Sequence, residues 1–217
     1  MRVAASTPAR RIRVRRYPER AGYERAALDP ILDAGLLCHV GFVFEGSPVV
    51  IPTLYWRDAN HLYWHGSTAS RMLRAVPGSR VCITVTHLDG LVLTRSAFHH
   101  SVNYRSAVLF GRAENIEDAK ERLAQLEHMM ETLFPGRWAQ LRPVKHRELG
   151  ATRVLRLRIG EFSVKSRSGP PQEDARDLKW PVWAGVIPLA LRPGLPQPDE
   201  VAHATKAIRP AFRKLTE

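Results

Sequence analysis

The sequence predicts a mostly β chain (β+α), an antiparallel barrel with a few peripheral helices. Two observations carry that reading. Val49, Ile51, Thr53 and Tyr55 alternate with Val50, Pro52, Leu54 and Trp56, turn at Asp58-Ala59-Asn60 and return as His61 to His65, a hairpin by period and by turn chemistry. The remaining β-branched stretches are joined by short turns, and only one long helical stretch interrupts them, so the βαβ alternation of a parallel sheet is missing.

In chain order, Asp29-Pro30 reads as an N-cap with proline at the first helical position, opening a short helix Ile31 to Ala34 that stops at Gly35 as its C′ glycine. Leu36 to Phe44 is a strand, and Glu45-Gly46-Ser47-Pro48 turns into the hairpin. Proline within the hairpin's first strand places that strand at an edge or at a bulge. Gly66 to Arg71 (GSTASR) is small and hydroxylated and leads into a short helix ending before Pro77-Gly78. Arg80 to His87 is a strand, Asp89-Gly90 a hairpin turn, and Leu91 to Arg95 the returning strand. Asn103 to Ala113 is the next strand, with Gly111 marking a bulge or a close approach.

Glu117 to Phe134 is the long helix, with Asn115 as N-cap and Ala119, Leu123, Leu126, Met130 and Leu133 as a packing stripe. Arg153 to Ile159 is a strand with one wet face. The segment from Lys165 is rich in Pro and Gly, contains Trp180 and Trp183, and reads as a wrapping segment without elements of its own. These divisions give a basic arm at 1–20, a barrel domain at 21–164 and a segment at 165–217 that packs on the barrel or on a partner subunit.

Composition bounds the function. Among 217 residues, 44% hydrophobic and 25% charged content is ordinary for a folded soluble chain. No apolar run approaches the roughly 18–20 residues of a membrane span, so no membrane partner is expected. The N-terminus has cations but no apolar core of a signal sequence, and a cytoplasmic location is expected. Residues 1–25 hold eight Arg against Glu19 and Glu24, a net +6 of the chain's +12. With no helix-turn-helix, RRM or zinc-finger pattern beside it, this arm is read as a solvated segment and nucleic acid is not the expected partner. Cys38 and Cys82 lie in apolar strand-like stretches without CxxC spacing and read as buried thiols.

The GxSxG, Walker and GxGxxG patterns are missing, which excludes the commonest hydrolase, P-loop and Rossmann chemistries. Nine histidines include no HxH or HExxH pair, so no metal site is expected. What remains is a phosphate corner: Ser67, Ser70 and Arg71 at a helix start, beside Ile51, Pro52 and Thr53, whose backbone can face a planar ring. Asn103-Tyr104-Arg105-Ser106 is a second cluster of donors, equally readable as a polar strand end.

The segments LYWHGSTASRM, HSVNYRSAVLFG, and KSRSGPP followed by PVWAGVIPL occur in an order that resembles the pyridoxamine 5′-phosphate oxidase-like split barrels, specifically the branch related to nitroimidazole-resistance reductases. The resemblance spans about residues 20–190 and implies an antiparallel split β-barrel binding FMN at a homodimer interface. It further implies that Val50, Ile51, Pro52 and Thr53 line the isoalloxazine, that Trp64, His65 and Gly66 lie beside ring and ribityl chain, and that Ser70 and Arg71 grip the phosphate, with Ser67 assisting. Met72 stands where the oxidases carry a lysine, which removes one cation from that grip. Tyr104, Arg105 and Ser106 match the strand from which the family reaches the flavin, and Trp183 belongs to the segment closing over it.

His65 matches a flavin-adjacent histidine and is the candidate catalytic residue, as a proton relay or as an orienter of the ribityl chain. No Arg-x-His element follows Trp183, so the resemblance does not extend to oxidation of pyridoxamine phosphate itself. The function implied is an FMN-dependent oxidoreductase acting on a small-molecule electrophile of nitro or quinone type. The alternative is a non-catalytic flavin- or haem-binding storage or sensor protein.

Overall fold

The computed structural model describes residues 9–197. In order, its strands and α-helices are β1 (Ala21–Gly22), α1 (Arg25–Ala34), β2 (Leu37–Phe44), β3 (Ser47–Arg57), β4 (His61–Ser67), α2 (Arg71–Ala75), β5 (Arg80–Leu93), β6 (Ser101–Asn115), α3 (Ala119–Leu133), α4 (His146–Ala151), β7 (Thr152–Arg158), β8 (Glu161–Arg167) and β9 (Gly185–Pro188).

Every strand pairing is antiparallel, and the ladder β2-β3-β4-β7-β6-β5 closes on itself through the short β2–β5 pairing of His39–Gly41 with Cys82–Thr84. β6 gives one edge to β5 and divides the other, pairing Tyr104–Phe110 with β8 and Ala113–Asn115 with β7. This divided edge splits the barrel. β1 extends β8, and β9 extends β5.

Alternation puts Cys38, Val40 and Phe42 of β2, Val81, Ile83 and Val85 of β5, Ala107 and Leu109 of β6, and Leu155 and Leu157 of β7 into one interior. α1 covers it with Leu28, Ile31 and Leu32, and α2 with Met72 and Leu73. A second cluster outside the barrel joins Trp56, Tyr63, Ile116 and Val154 under Leu126 and Met129 of α3. Val154 and Leu155 are both buried, so β7 has less of a wet face than its Arg alternation predicts; Arg156 reaches Glu114 and Glu121, each at 2.9 Å. Both cysteines are free, and burial pushes the Cys38 thiol up to about 12.

Several expectations need correction. α1 begins at Arg25, one full turn before Asp29-Pro30, and Pro30 sits inside it. The buried i, i+3, i+4 face of Leu28, Ile31 and Leu32 and the Arg25–Asp29 ion pair at 2.8 Å hold the helix across the hydrogen bond that proline removes. Gly35 has an extended φ of −91° and serves close approach instead: a Cβ there would lie 2.3 Å from the Tyr55 hydroxyl, which donates to Leu32 O at 2.6 Å. The N-cap of α3 is Asp118, whose carboxylate accepts from Glu121 N at 2.7 Å, and not Asn115.

Asp89-Gly90 is not a hairpin turn. β5 runs straight through it, and Asp89 is the extra residue of a bulge between the Leu88–Tyr104 and Gly90–Asn103 pairs. Its carboxylate binds Arg105 at 2.8 and 2.9 Å, and its carbonyl accepts from Leu189 N at 3.0 Å, so both groups serve the sheet. The C-terminal segment does contribute an element, β9, on the edge of β5 beside that bulge.

Glu45 and Gly46, at φ 49° and 77°, form the positive-φ pair of a two-residue hairpin turn. Residues 9–20 pack against β8, with Arg11 paired to Glu161 and Lys165 Nζ donating to Arg16 O at 2.9 Å. No helix among the described residues is long and apolar enough to cross a membrane.

The Gly35–Tyr55 contact gives a double-mutant test. Tyr55→Phe removes a buried hydrogen bond and costs about 1–2 kcal/mol in urea unfolding, while Gly35→Ala overpacks the same spot and costs about 1–3 kcal/mol. Combined, the two cost less than their sum, because the atom that the new methyl strikes is gone. Strict additivity would contradict this reading.

Candidate functional site

The site grows out of the way β3 is paired. β2 covers Ser47–Leu54, whereas β4 covers only Tyr55–Arg57. Past the Tyr55–Trp64 pair β4 keeps only the ladder to β7 that runs along its whole length, with His65 paired to Val154, Gly66 to Arg153 and Ser67 to Thr152. Among the described residues, the edge of β3 over residues 47–54 therefore has no strand against it on the β4 side. Pro52, which cannot donate to a ladder, lies in that stretch, as the edge-or-bulge expectation requires.

The far side of the opening is the turn from β4 into α2. Ser67 Oγ accepts from Ala69 N at 3.1 Å, and Ser67 O accepts from Ser70 N at 2.9 Å, so the GSTAS stretch is a compact turn. Ser70 is the N-cap of α2 yet makes no side-chain cap hydrogen bond. Arg71 is exposed, and its guanidinium lies 5.3 Å from the centre of the Phe44 ring, across from the β2–β3 hairpin. No ion pair to a carboxylate is seen for Arg71 among the described residues.

The sequence candidates divide into two groups. Val50 and Pro52 point outward and are exposed, Ile51 packs against the core, and Thr53 is half-buried, all on the open edge. His65, Gly66 and Ser67 lie on β4 beyond its last pair with β3, and Ser70 and Arg71 on the turn that follows, with Arg71 reaching Phe44 at the β2–β3 hairpin. Within this group two side chains lie elsewhere than expected. The Trp64 indole is fully buried in the barrel interior, and Met72 is buried in the same core, so only their backbones face the corner. An apolar residue at position 72 is what that packing requires, which accounts for the missing lysine.

The second group, Tyr104, Arg105, Ser106 and Trp183, is set apart by the ladder. Residues 104–106 pair with the 86–88 stretch of β5 and with β8, at the end of β6 away from β7. Arg105 is held by Asp89, and Ser106 Oγ donates to Lys165 O at 3.0 Å. Trp183 is exposed just ahead of β9. A single chain does not bring this group to the β3–β4 corner.

His65 is half-buried, its ring 5.8 Å from the Trp56 ring, and its Nδ1 is buried with no hydrogen-bond partner among the described residues. Burial moves its pKa below the ordinary 6.5, so the imidazole is neutral at pH 7. Phe44 and Trp56, which flank Arg71 and His65, were legible only as strand residues. Their contacts depend on how β2, β3 and β4 twist past one another, which no spacing encodes.

The family model for pyridoxamine 5′-phosphate oxidase matches residues 24–166. No curated protein matches the chain. Among solved structures, the flavocytochrome Anf3 from Azotobacter vinelandii is 41% identical, covering 96% of this chain and 97% of its own, with a TM-score of 0.90. The FAD and haem binding protein from Mycobacterium smegmatis is 37% identical, covering 90% and 97%, with a TM-score of 0.84. A 5-nitroimidazole antibiotic resistance protein from Bacteroides thetaiotaomicron shares the fold at 22% identity, covering 67% and 85%, with a TM-score of 0.55. The split barrel, the open β3 edge and the match over residues 24–166 agree, and the chain belongs to the pyridoxamine 5′-phosphate oxidase family.

Proposed function

We propose that this chain is a flavin- and haem-binding redox protein whose flavin lies along the open edge of β3. The observation that carries the reading is the identity of 41% and 37%, over nearly the whole chain, to a flavocytochrome and to an FAD and haem binding protein. The corner fits a flavin on its own terms: an unladdered edge at residues 50–53 for the ring, and Ser70 and Arg71, neither committed to a cap or to a carboxylate, for a phosphate. FMN and FAD share the ring and the first phosphate; the Mycobacterium relative favours FAD, and mass spectrometry of the released cofactor distinguishes the two. A bound flavin supplies one- and two-electron chemistry.

The residues of the chain bind and orient it. Val50 to Thr53 offer backbone groups to its polar edge, and Arg71 holds the phosphate as a charge-assisted donor. His65, neutral and wedged beside Trp56, takes or gives a proton through its second nitrogen. The reaction class we infer is oxidoreduction of a small electrophile of nitro or quinone type.

A haem iron takes an imidazole with a free nitrogen. Two buried Nδ1 atoms, those of His65 and His99, are without partners among the described residues. His65 belongs to the flavin corner. We assign the haem to His99, which lies beside the exposed Phe98 with ring centres 5.4 Å apart.

The chain acts as a homodimer in this reading. Leu37 and Val43 of β2, Val50 of β3 and Leu88 of β5 form an outward apolar face next to the corner, with 49–68% of each exposed. A second copy on that face is the route by which Tyr104, Arg105, Ser106 and Trp183 reach the flavin.

The first test is the absorption spectrum of the purified protein and of the protein reconstituted with flavin and haemin. Flavin bands and a Soret band are expected, and their absence after reconstitution would contradict the reading. Arg71→Ala weakens flavin binding by about 1.5–3 kcal/mol, roughly 10- to 100-fold in Kd, whereas His99→Ala removes the Soret band and keeps the flavin.

An NMR titration is expected to show His65 titrating below the ordinary imidazole value of 6.5, because burial disfavours its charged form. Because the folded-state pKa is depressed, the unfolded chain binds the proton first as pH falls, so stability is full above 6.5 and declines below it. A midpoint at or above 6.5 would contradict the burial argument.

A further inference from the structure

A second polar cavity lies away from the β3 edge, where the N-terminal arm crosses β1 and the end of β8. It holds about 340 Å³, and its polar lining is Glu19, Arg20, Ser166, Arg167, Ser168 and Gln172. At ~30 Å³ per water that volume exceeds what one solvent molecule or halide fills, yet it sits at the small end of ligand pockets.

Arg167 is the unusual residue. Only 9% of it is exposed, and it donates to the Asn103 amide oxygen and, at 3.1 Å, to Pro170 O. No carboxylate pairs with it among the described residues. A buried guanidinium satisfied by neutral acceptors alone leaves its charge uncompensated, an arrangement that costs several kcal/mol unless something neutralises it.

The surroundings add positive charge. Arg20 faces the same cavity, stacked on Tyr17 with its Cζ 4.2 Å from the ring centre. Arg20 makes a long ion pair with Glu19, at 3.8 Å, whose side chain is largely exposed. Arg16 and Lys165 flank the same ring at 5.3 and 5.8 Å. Burial, and then the facing Arg20, push the Arg167 guanidinium below its ordinary pKa, which is the signature of a cation lacking its counter-charge.

We infer that this cavity binds a small oxyanion, a phosphate or carboxylate group, held by Arg167 from the buried end and Arg20 from the open end. The guanidinium fork matches a tetrahedral or planar oxyanion by paired hydrogen bonds, and the Ser166 and Ser168 hydroxyls and the Gln172 amide supply neutral donors around it. The site also gives the end of the basic arm a role: Glu19 and Arg20 form part of one wall, and Arg20 is one of the pocket's two cations. Flavin binding at the β3 edge is not required for any of this.

The test titrates inorganic phosphate into the purified full-length chain at constant ionic strength, with chloride as the exchanged ion, followed by calorimetry and thermal unfolding. Phosphate should bind and raise Tm beyond the chloride control. Arg20→Gln, whose side chain is partly accessible and whose loss leaves the core intact, should weaken phosphate at least 10-fold. Arg167→Gln should remove the phosphate increment while the protein stays folded, since the variant also deletes a buried uncompensated charge.

Equal responses to phosphate and chloride, or an Arg20→Gln variant that binds phosphate like the parent, would overturn the inference. Repeating the titration on flavin-saturated protein identifies the source of the anion. An increment that persists means a separate ligand fills the pocket; one that disappears means a phosphate of the cofactor lies here and not at Arg71, which upholds the pocket and contradicts the flavin placement proposed above.

Discussion

The divided edge of β6 is the constraint on which the rest of this structure depends. A 15-residue strand hands its first stretch to β8 and its last to β7, and the exchange happens around Gly111. A Cβ at that position would fall 2.6 Å from Leu157 Cδ1, so a side chain at residue 111 would have to displace Leu157 from its place where β7 meets β6. From that junction β7 carries the ladder to β4, while β8 carries β1 and the basic arm. The barrel closes on one side and opens on the other.

The functional geometry follows from this division. β7 accompanies β4 along the whole of His61 to Ser67, whereas β3 accompanies its other edge for only three residues before the two part. The parting exposes backbone at residues 47–54, brings the Ser67–Arg71 turn opposite, and leaves His65 at the fork, half-buried against Trp56. Tyr104, Arg105 and Ser106 are separated from the β3 edge by β5 and β2, and a single chain uses Arg105 and Ser106 for its own sheet.

Much of this was legible in the sequence, for identifiable reasons. The β2–β3 turn announced itself because Glu45-Gly46 supplies positive φ, and the edge character of β3 because proline cannot donate. Gly111 was readable as a close approach, though not its partner. Asp89-Gly90 misled because the pair that favours a two-residue turn also suits a bulge, and only the Arg105 partner and the arrival of β9 decide between them. α1 was cut short because Pro30 weighs heavily in any local reading, while the burial of Leu28 that overrides it is tertiary. Trp64 looked like a ligand wall, and parity along β4 sends it into the core. Arg167 carried no local signal, since its meaning lies in what it fails to meet.

The central claim is that the unladdered edge of β3 is where the flavin is held. Amide hydrogen exchange across residues 47–57, measured by mass spectrometry before and after flavin loading, addresses it directly. Amides of residues 49–54 should exchange faster than those of Tyr55–Arg57 in the unloaded protein and become protected on loading, with little change in β2 or α3. Protection arising elsewhere, with residues 49–54 unaffected, would contradict the account and place the cofactor away from this edge.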